Sequence, residues 1–268
     1  MRAIGHVAVN VFKESVRDKI LYNLVVFAVL LISASYLIGE LTAGQDVKII
    51  KDLGLASISM FGLLIAIFIG IGLVWKEVEK RSIYTLLPKP MRRQEFLLGK
   101  YCGLVLTLLI NVAVMTGAFY LVLAYMQAET PANIRAAWPA PATDPAMLKA
   151  IALIVLELLL VTAIALFFST FSSPFLSAMM TMAVWVIGHF NQDLRDYGTT
   201  ISSPVAAALA RGVYYVVPNF AAFDVKLQAV HAQPIPAAYL ALTSLYGVTY
   251  VALVLLAALV IFSKRDFK

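Results

Sequence analysis

The sequence is poor in the residues on which chemistry usually rests. Of its 268 residues, one is cysteine and three are histidine. The lone Cys102 excludes an intramolecular disulfide, and no Cys/His spacing has the pattern of a metal-ligand set. No Gly-x-x-x-x-Gly-Lys-Ser/Thr phosphate loop is present, because the one Gly-Lys pair, Gly99–Lys100, is followed by Tyr101. The His-Glu-x-x-His signature of zinc proteases is also missing. Charged residues make up only 13% of the chain, whereas a soluble domain carries about a quarter. That shortage argues against a soluble enzyme, a disordered chain and a nucleic-acid module. The net charge of +6 does not rescue the last of these, since the basic residues sit between apolar runs rather than on one face.

What the chain has in excess is apolar surface: 62% hydrophobic residues and a mean hydropathy of +0.88. One core of this size cannot bury so much, so lipid must be the solvent for much of it. The expected fold is an all-α membrane protein. A span needs about 20 mostly apolar residues, and six segments reach or approach that length: 20–39, 56–75, 101–124, 148–169, 175–190 and 238–262. No internal repeat or linker divides them, so residues 1–268 read as a single transmembrane domain. No cleavable leader is expected, because Met1–Lys19 is charged throughout and the apolar run behind it is too long for a signal sequence.

The positive-inside rule orients the bundle. With the N-terminus in the cytoplasm and six crossings, fourteen basic residues fall inside and seven outside. Both termini are therefore expected in the cytoplasm of a bacterial-type inner membrane. Residues 1–19 read as an interfacial helix: Ile4, Val7, Ala8, Val11 and Phe12 recur at helical spacing, with Lys13, Glu14 and Arg17 on other faces. Pro131, Pro139, Pro141 and Pro145 mark 125–147 as an outer loop. Residues 204–217, closed by Pro218 and Asn219, are too short to span. They read either as a re-entrant helix in the outer leaflet or as a surface helix before span six.

The most informative segment joins spans two and three. Val78, Ile83, Leu86 and Leu87 share part of one face of a short helix. Pro88 and Pro90 end it, since proline has no amide donor and restrains the residue before it. Arg92 and Arg93 then lead into the next span. Glu77, Glu79, Leu86–Leu87, Pro90, Arg93 and Gly99–Lys100 stand in an order and spacing that resembles the permease subunits of type-2 ABC exporters. The chain departs from that family at Arg81 and Ser82, where Gly-Thr is common.

The resemblance implies a cytoplasmic coupling helix between spans two and three. It implies cytoplasmic ABC ATPase subunits docked there, and a second permease copy or homologue beside this one. ATP and Mg²⁺ would belong to the ATPase, leaving no cofactor in this chain. Glu77, Glu79, Arg81, Leu86, Leu87, Pro88, Pro90, Arg92 and Arg93 would form the coupling loop. The two arginines would anchor it to headgroups or pair with acidic residues of the ATPase. A periplasmic partner is an alternative receiver of the force, and nucleic acid is not an expected partner.

Inside the spans, Glu157 is the exception among apolar neighbours, and an intramembrane carboxylate is by default a functional candidate. Asn111 stands at similar depth on the preceding span and is the expected partner. The pair reads either as a polar or proton-linked site or as a helix–helix hydrogen bond fixing packing. His189, Asp193 and Arg195 are a candidate outer surface for a partner or an exit. A single histidine there falls short of a metal site, and Met179, Met180 and Met182 read as packing rather than copper ligands. The leading expectation is the permease subunit of an ATP-driven exporter, not itself an enzyme. The alternative is an ion-coupled carrier that uses Glu157.

Overall fold

The computed structural model describes residues 2–40, 46–79, 93–138, 140–191 and 204–264. Every regular element among them is helical. In chain order these are α1 (Arg2–Val16), α2 (Lys19–Glu40), α3 (Asp46–Glu79), α4 (Arg93–Glu129) and α5 (Ala132–Arg135), then α6 (Ala146–Ser169) and α7 (Pro174–His189). They are followed by α8 (Pro204–Val216), a 3₁₀ turn (Phe220–Phe223), α9 (Lys226–Val230) and α10 (Ala237–Lys264). Five helices, α2, α3, α4, α6 and α10, are long and apolar enough to cross a membrane. The helix α7 is apolar but has only 16 residues, about 24 Å of rise against a hydrocarbon core of about 30 Å.

The helix α6 is the centre of the bundle. Its face to α3 is made tight by glycine: a Cβ added at Gly70 would lie 2.7 Å from Ala165 Cβ, and one at Gly62 would lie 2.5 Å from Leu158 Cδ1. Lipid offers no hydrophobic drive between helices, so close backbone approach is what holds such a pair. Asp144 accepts the Ala146 N–H at 2.8 Å and starts α6. Hydroxyls end it: Ser169 donates to Leu166 O, Thr170 to Phe167 O and Ser172 to Phe168 O. The Phe167 and Phe168 carbonyls also accept backbone N–H groups from Thr170, Phe171 and Ser172, so the hydroxyls add second donors at the helix end. Ser173 is extended, as the residue before a proline prefers, and Pro174 opens α7. The Thr170–Ser173 turn defines one end of the bundle (the turn end). Residues 130–145 and 231–236 define the other (the loop end).

The helix α1 lies at the turn end against α4. Val11 and Ser15 are buried there, while Lys13, Glu14 and Val9 are exposed. A Cβ at Gly103 would meet Ala8 O at 2.7 Å, so only glycine lets α1 approach this closely. The apolar face that the sequence directs toward the membrane surface is thus covered by Leu97, Leu104 and Phe262.

Two helices are longer than the apolar runs suggest. The sequence places span two at 56–75, but α3 begins at Asp46, ten residues earlier. Lys48 and Lys51, two of the seven basic residues counted outside, fall on this helix, and Lys51 is buried and donates to Pro141 O at 3.0 Å. The outer segment expected over 125–147 is partly helical, since α4 runs on to Glu129 and α5 forms one short turn. The rest of it is fastened to the bundle. Tyr120 donates to Asp144 O at 3.2 Å, and Gln127 Oε1 accepts from Thr143. Lys51→Met should release this flap, because a charge-assisted hydrogen bond contributes about 1.5–3 kcal/mol. The expected result is faster amide exchange over 140–144 with no such change in Lys48→Met; equal exchange in the two variants would remove Lys51 from this role.

Candidate functional site

Glu157 sits halfway along α6 and is 2% exposed. The tight turn at 170–173 folds α7 back beside it, bringing Trp185 and His189 to the same depth. The Trp185 indole N–H donates to Glu157 Oε1 at 2.7 Å. His189 Nε2 lies 3.7 Å from the same oxygen. His189 Nδ1 is 3.1 Å from Trp185 O. A carbonyl only accepts, so Nδ1 carries a hydrogen and the neutral ring presents a bare Nε2 toward Glu157. One added proton, on either the carboxylate or the imidazole, gives that contact a hydrogen to share. The arrangement is therefore able to hold a proton between α6 and α7.

Rings enclose the group. The His189 ring lies 4.3 Å from that of Trp185 and stacks on Phe220 at 5.9 Å with an 11° interplanar angle. Phe220 and Phe223 are fully buried. The series continues through Phe223 to Tyr246 and Tyr250 on α10. Phe220 reaches this place because the chain bends by 40° between α8 and the Phe220–Val230 segment. The bend rests on Gly188, where an added Cβ would lie 2.4 Å from Pro218 O. Asn191 steadies the arriving helix by donating to Tyr214 O and Val217 O. On the far side Lys226 pairs with Asp224 at 3.4 Å and reaches Ser59 Oγ at 3.4 Å.

The structure gives Asn111 a different partner from the one the sequence suggests. Its amide donates to Thr107 O, one turn back on α4, at 2.7 Å. Glu157 pairs across the α6–α7 turn instead, because antiparallel helices joined by a short turn align residues equally far from it. His189, the last residue of α7, is half-buried and turns its ring toward Glu157. Asp193 and Arg195 lie outside the described residues. Arg81, Leu86, Leu87, Pro88, Pro90 and Arg92 also lie outside them. Glu77 and Glu79 fall on the last turn of α3, and Arg93 opens α4. Among the described residues, no three His, Cys, Asp or Glu side chains gather as a metal site requires.

Residues 6–267 match the family described as ABC-2 family transporter protein. The chain belongs to that family. The ABC-2 assignment covers nearly the whole sequence, so it applies to the bundle and not to one loop. An ABC-2 chain is a membrane permease subunit of an ABC transporter, a transport component rather than a catalytic one, and its family implies an ABC ATPase as partner. Against the curated proteins, this ABC-2 chain has no match.

Proposed function

We propose that this permease is the membrane half of an exporter, driven by a separate ATPase that docks on residues 77–93. The carrying observation is the length of the two helices that flank this segment. α3 has 34 residues and α4 has 37, about 51 and 55 Å of rise. Each overruns a hydrocarbon core of about 30 Å. Such helices act as unbroken levers that take a push at one end into the packed interior. Buried Lys100, its ammonium 4.8 Å from the Phe96 ring, and the α1 clasp at Gly99 and Gly103 stiffen α4 just past the docking segment.

In this reading the turn end and both termini face the cytoplasm, in agreement with the two-to-one bias of basic residues. A second copy or homologue completes the pathway, in a bacterial-type inner membrane. Glu79 and Arg93 make charged contacts with the ATPase. Reversing both (Glu79→Lys with Arg93→Glu) is expected to lower ATPase recovery with the purified permease tenfold or more, since like charges facing across an interface cost several kcal/mol. Full recovery of the ATPase with the reversed permease would overturn the docking assignment.

The Glu157–His189 contact favours one competing reading, an ion-coupled carrier. Its signature is transport that ignores nucleotide and stops when the proton gradient is collapsed. ATP-dependent transport that survives collapse of the gradient would retire it.

A further inference from the structure

Three side chains meet the His189 ring, and they come from three elements. Trp185, one turn back on α7, lies 4.3 Å away between ring centroids. Phe220, from the bend, stacks on it at 5.9 Å and 11°. Glu157, from α6, brings Oε1 to 3.7 Å from Nε2. The ring contacts tolerate a neutral imidazole and favour a charged one, since an aromatic face attracts a cation. The contact with Glu157 is decided by a proton. Without one to share, a carboxylate oxygen faces the lone pair of Nε2 and the two repel. With one, on either side, the same two atoms attract.

The bend bears on two adjacent residues of α7. Gly188 takes Pro218 O and the Phe220 ring against its bare Cα, and His189 takes the face of the same ring. A His189 ring turned away from Glu157 gives up the Phe220 stack. We infer that the Glu157–His189 pair binds one proton as a latch. With the proton held, the ring is pinned and the 218–223 bend stays seated on α7; with the proton lost, the ring turns and the bend lifts. The proton is a ligand of the closed bundle and not cargo, which sets the latch apart from an ion-coupled carrier. Nor does it rest on ATPase docking, because the seat is read without nucleotide or partner.

The neighbouring charges are spent on each other. Among the described residues, the groups that act on Glu157 by charge are His189, Asp224 and Lys226, and the last two pair at 3.4 Å. α3, α4 and α10 also pack against α6, and none has Asp, Glu, Lys or Arg over 53–75, 101–128 or 237–263. Of their phenols, Tyr101 donates to Leu159 O and Tyr246 accepts from the Asn219 N–H. The seated form holds one proton more than the lifted form, so seating strengthens as pH falls and is lost as pH rises.

The test uses the full chain in phosphatidylcholine nanodiscs, with Trp75→Phe and Trp138→Phe leaving Trp185 as the only indole. Acrylamide quenching of Trp185 reads the seat. The quenching constant is expected to rise about threefold or more between about pH 6 and about pH 9, a range that brackets the titration of an imidazole. Glu157→Gln should keep Trp185 protected at both ends of that range, because its amide accepts from the indole and donates to Nε2 with no proton to lose. His189→Asn, which has no imidazole, should also lose the rise, so a folding defect in one variant does not blur the outcome. A flat profile with Glu157 and His189 intact, or a rise that survives either substitution, overturns the latch. So does a rise that Asp193→Asn or Asp224→Asn abolishes and Glu157→Gln leaves, which would assign the proton to that residue.

Discussion

Gly188→Ala is expected to lower the melting temperature of the purified permease by roughly 5 °C or more, while Gly117→Ala leaves it unchanged or slightly raised. The two glycines are both helical and differ in what a methyl group meets. At Gly117 nothing lies within 4 Å, so alanine gains up to about 1 kcal/mol of helix propensity. At Gly188 the methyl would lie 2.4 Å from both Pro218 O and Phe220 Cδ2. The first is backbone and cannot rotate away. Overpacking of this kind costs about 1–3 kcal/mol, and here the relief available is to lift the 218–220 bend off α7. That movement unstacks Phe220 from His189 and opens the interior around Glu157. Thermal unfolding monitored by size exclusion reads the first effect, and quenching of Trp185 fluorescence by acrylamide reads the second. Equal melting temperatures for the two variants would mean that the bend does not bear on α7.

The second large effect is a non-additive one. Trp185→Phe leaves the Glu157 carboxyl without its indole donor, and Glu157→Leu leaves the indole N–H without its acceptor. Each should destabilise by about 1–2 kcal/mol, the range for hydrogen bonds between membrane helices. The double variant removes both polar groups together and should cost less than the sum, with a coupling of at least about 0.5 kcal/mol. The same cycle separates the two roles open to Glu157. If the carboxyl only fixes packing, the double variant keeps its coupling to the ATPase. If it carries a proton or meets substrate, the double variant folds but loses substrate-stimulated ATP hydrolysis. Strictly additive losses would show that the 2.7 Å contact contributes nothing to the fold.

The long apolar runs were legible in the sequence because lipid imposes a length and a composition on each span. Their ends were less so. Lys51 stands beside Lys48 ahead of the apolar run and reads as an outer-side residue; its partner, Pro141 O, lies ninety residues away and leaves no local trace. Glu157 is visible as a carboxylate among leucines, but depth in the span alone points to Asn111 and not to Trp185. A signal for the right one was present. Ser169 is twelve residues past Glu157, and Trp185 is eleven past Pro174, so a short turn had to bring them level. Asn111 lacked any such constraint, and its amide found a carbonyl on its own helix. Pro218, Asn219 and Phe220 were legible as a turn. That this turn seats on Gly188 and closes over His189 depends on a fold-wide coincidence of helix lengths that no local pattern encodes.

The shortness of α7 has a consequence for how the chain is made. A helix of about 24 Å is a weak signal for insertion on its own, and the turn at 170–173 is too tight for it to enter far from α6. The two therefore go into the bilayer as one hairpin, with Glu157 and His189 carried in together. Phe220 and Phe223, which close over this pair, follow His189 by some thirty positions and reach the bilayer after it. A nascent chain stalled before Pro218 holds an unsealed carboxylate inside the bilayer.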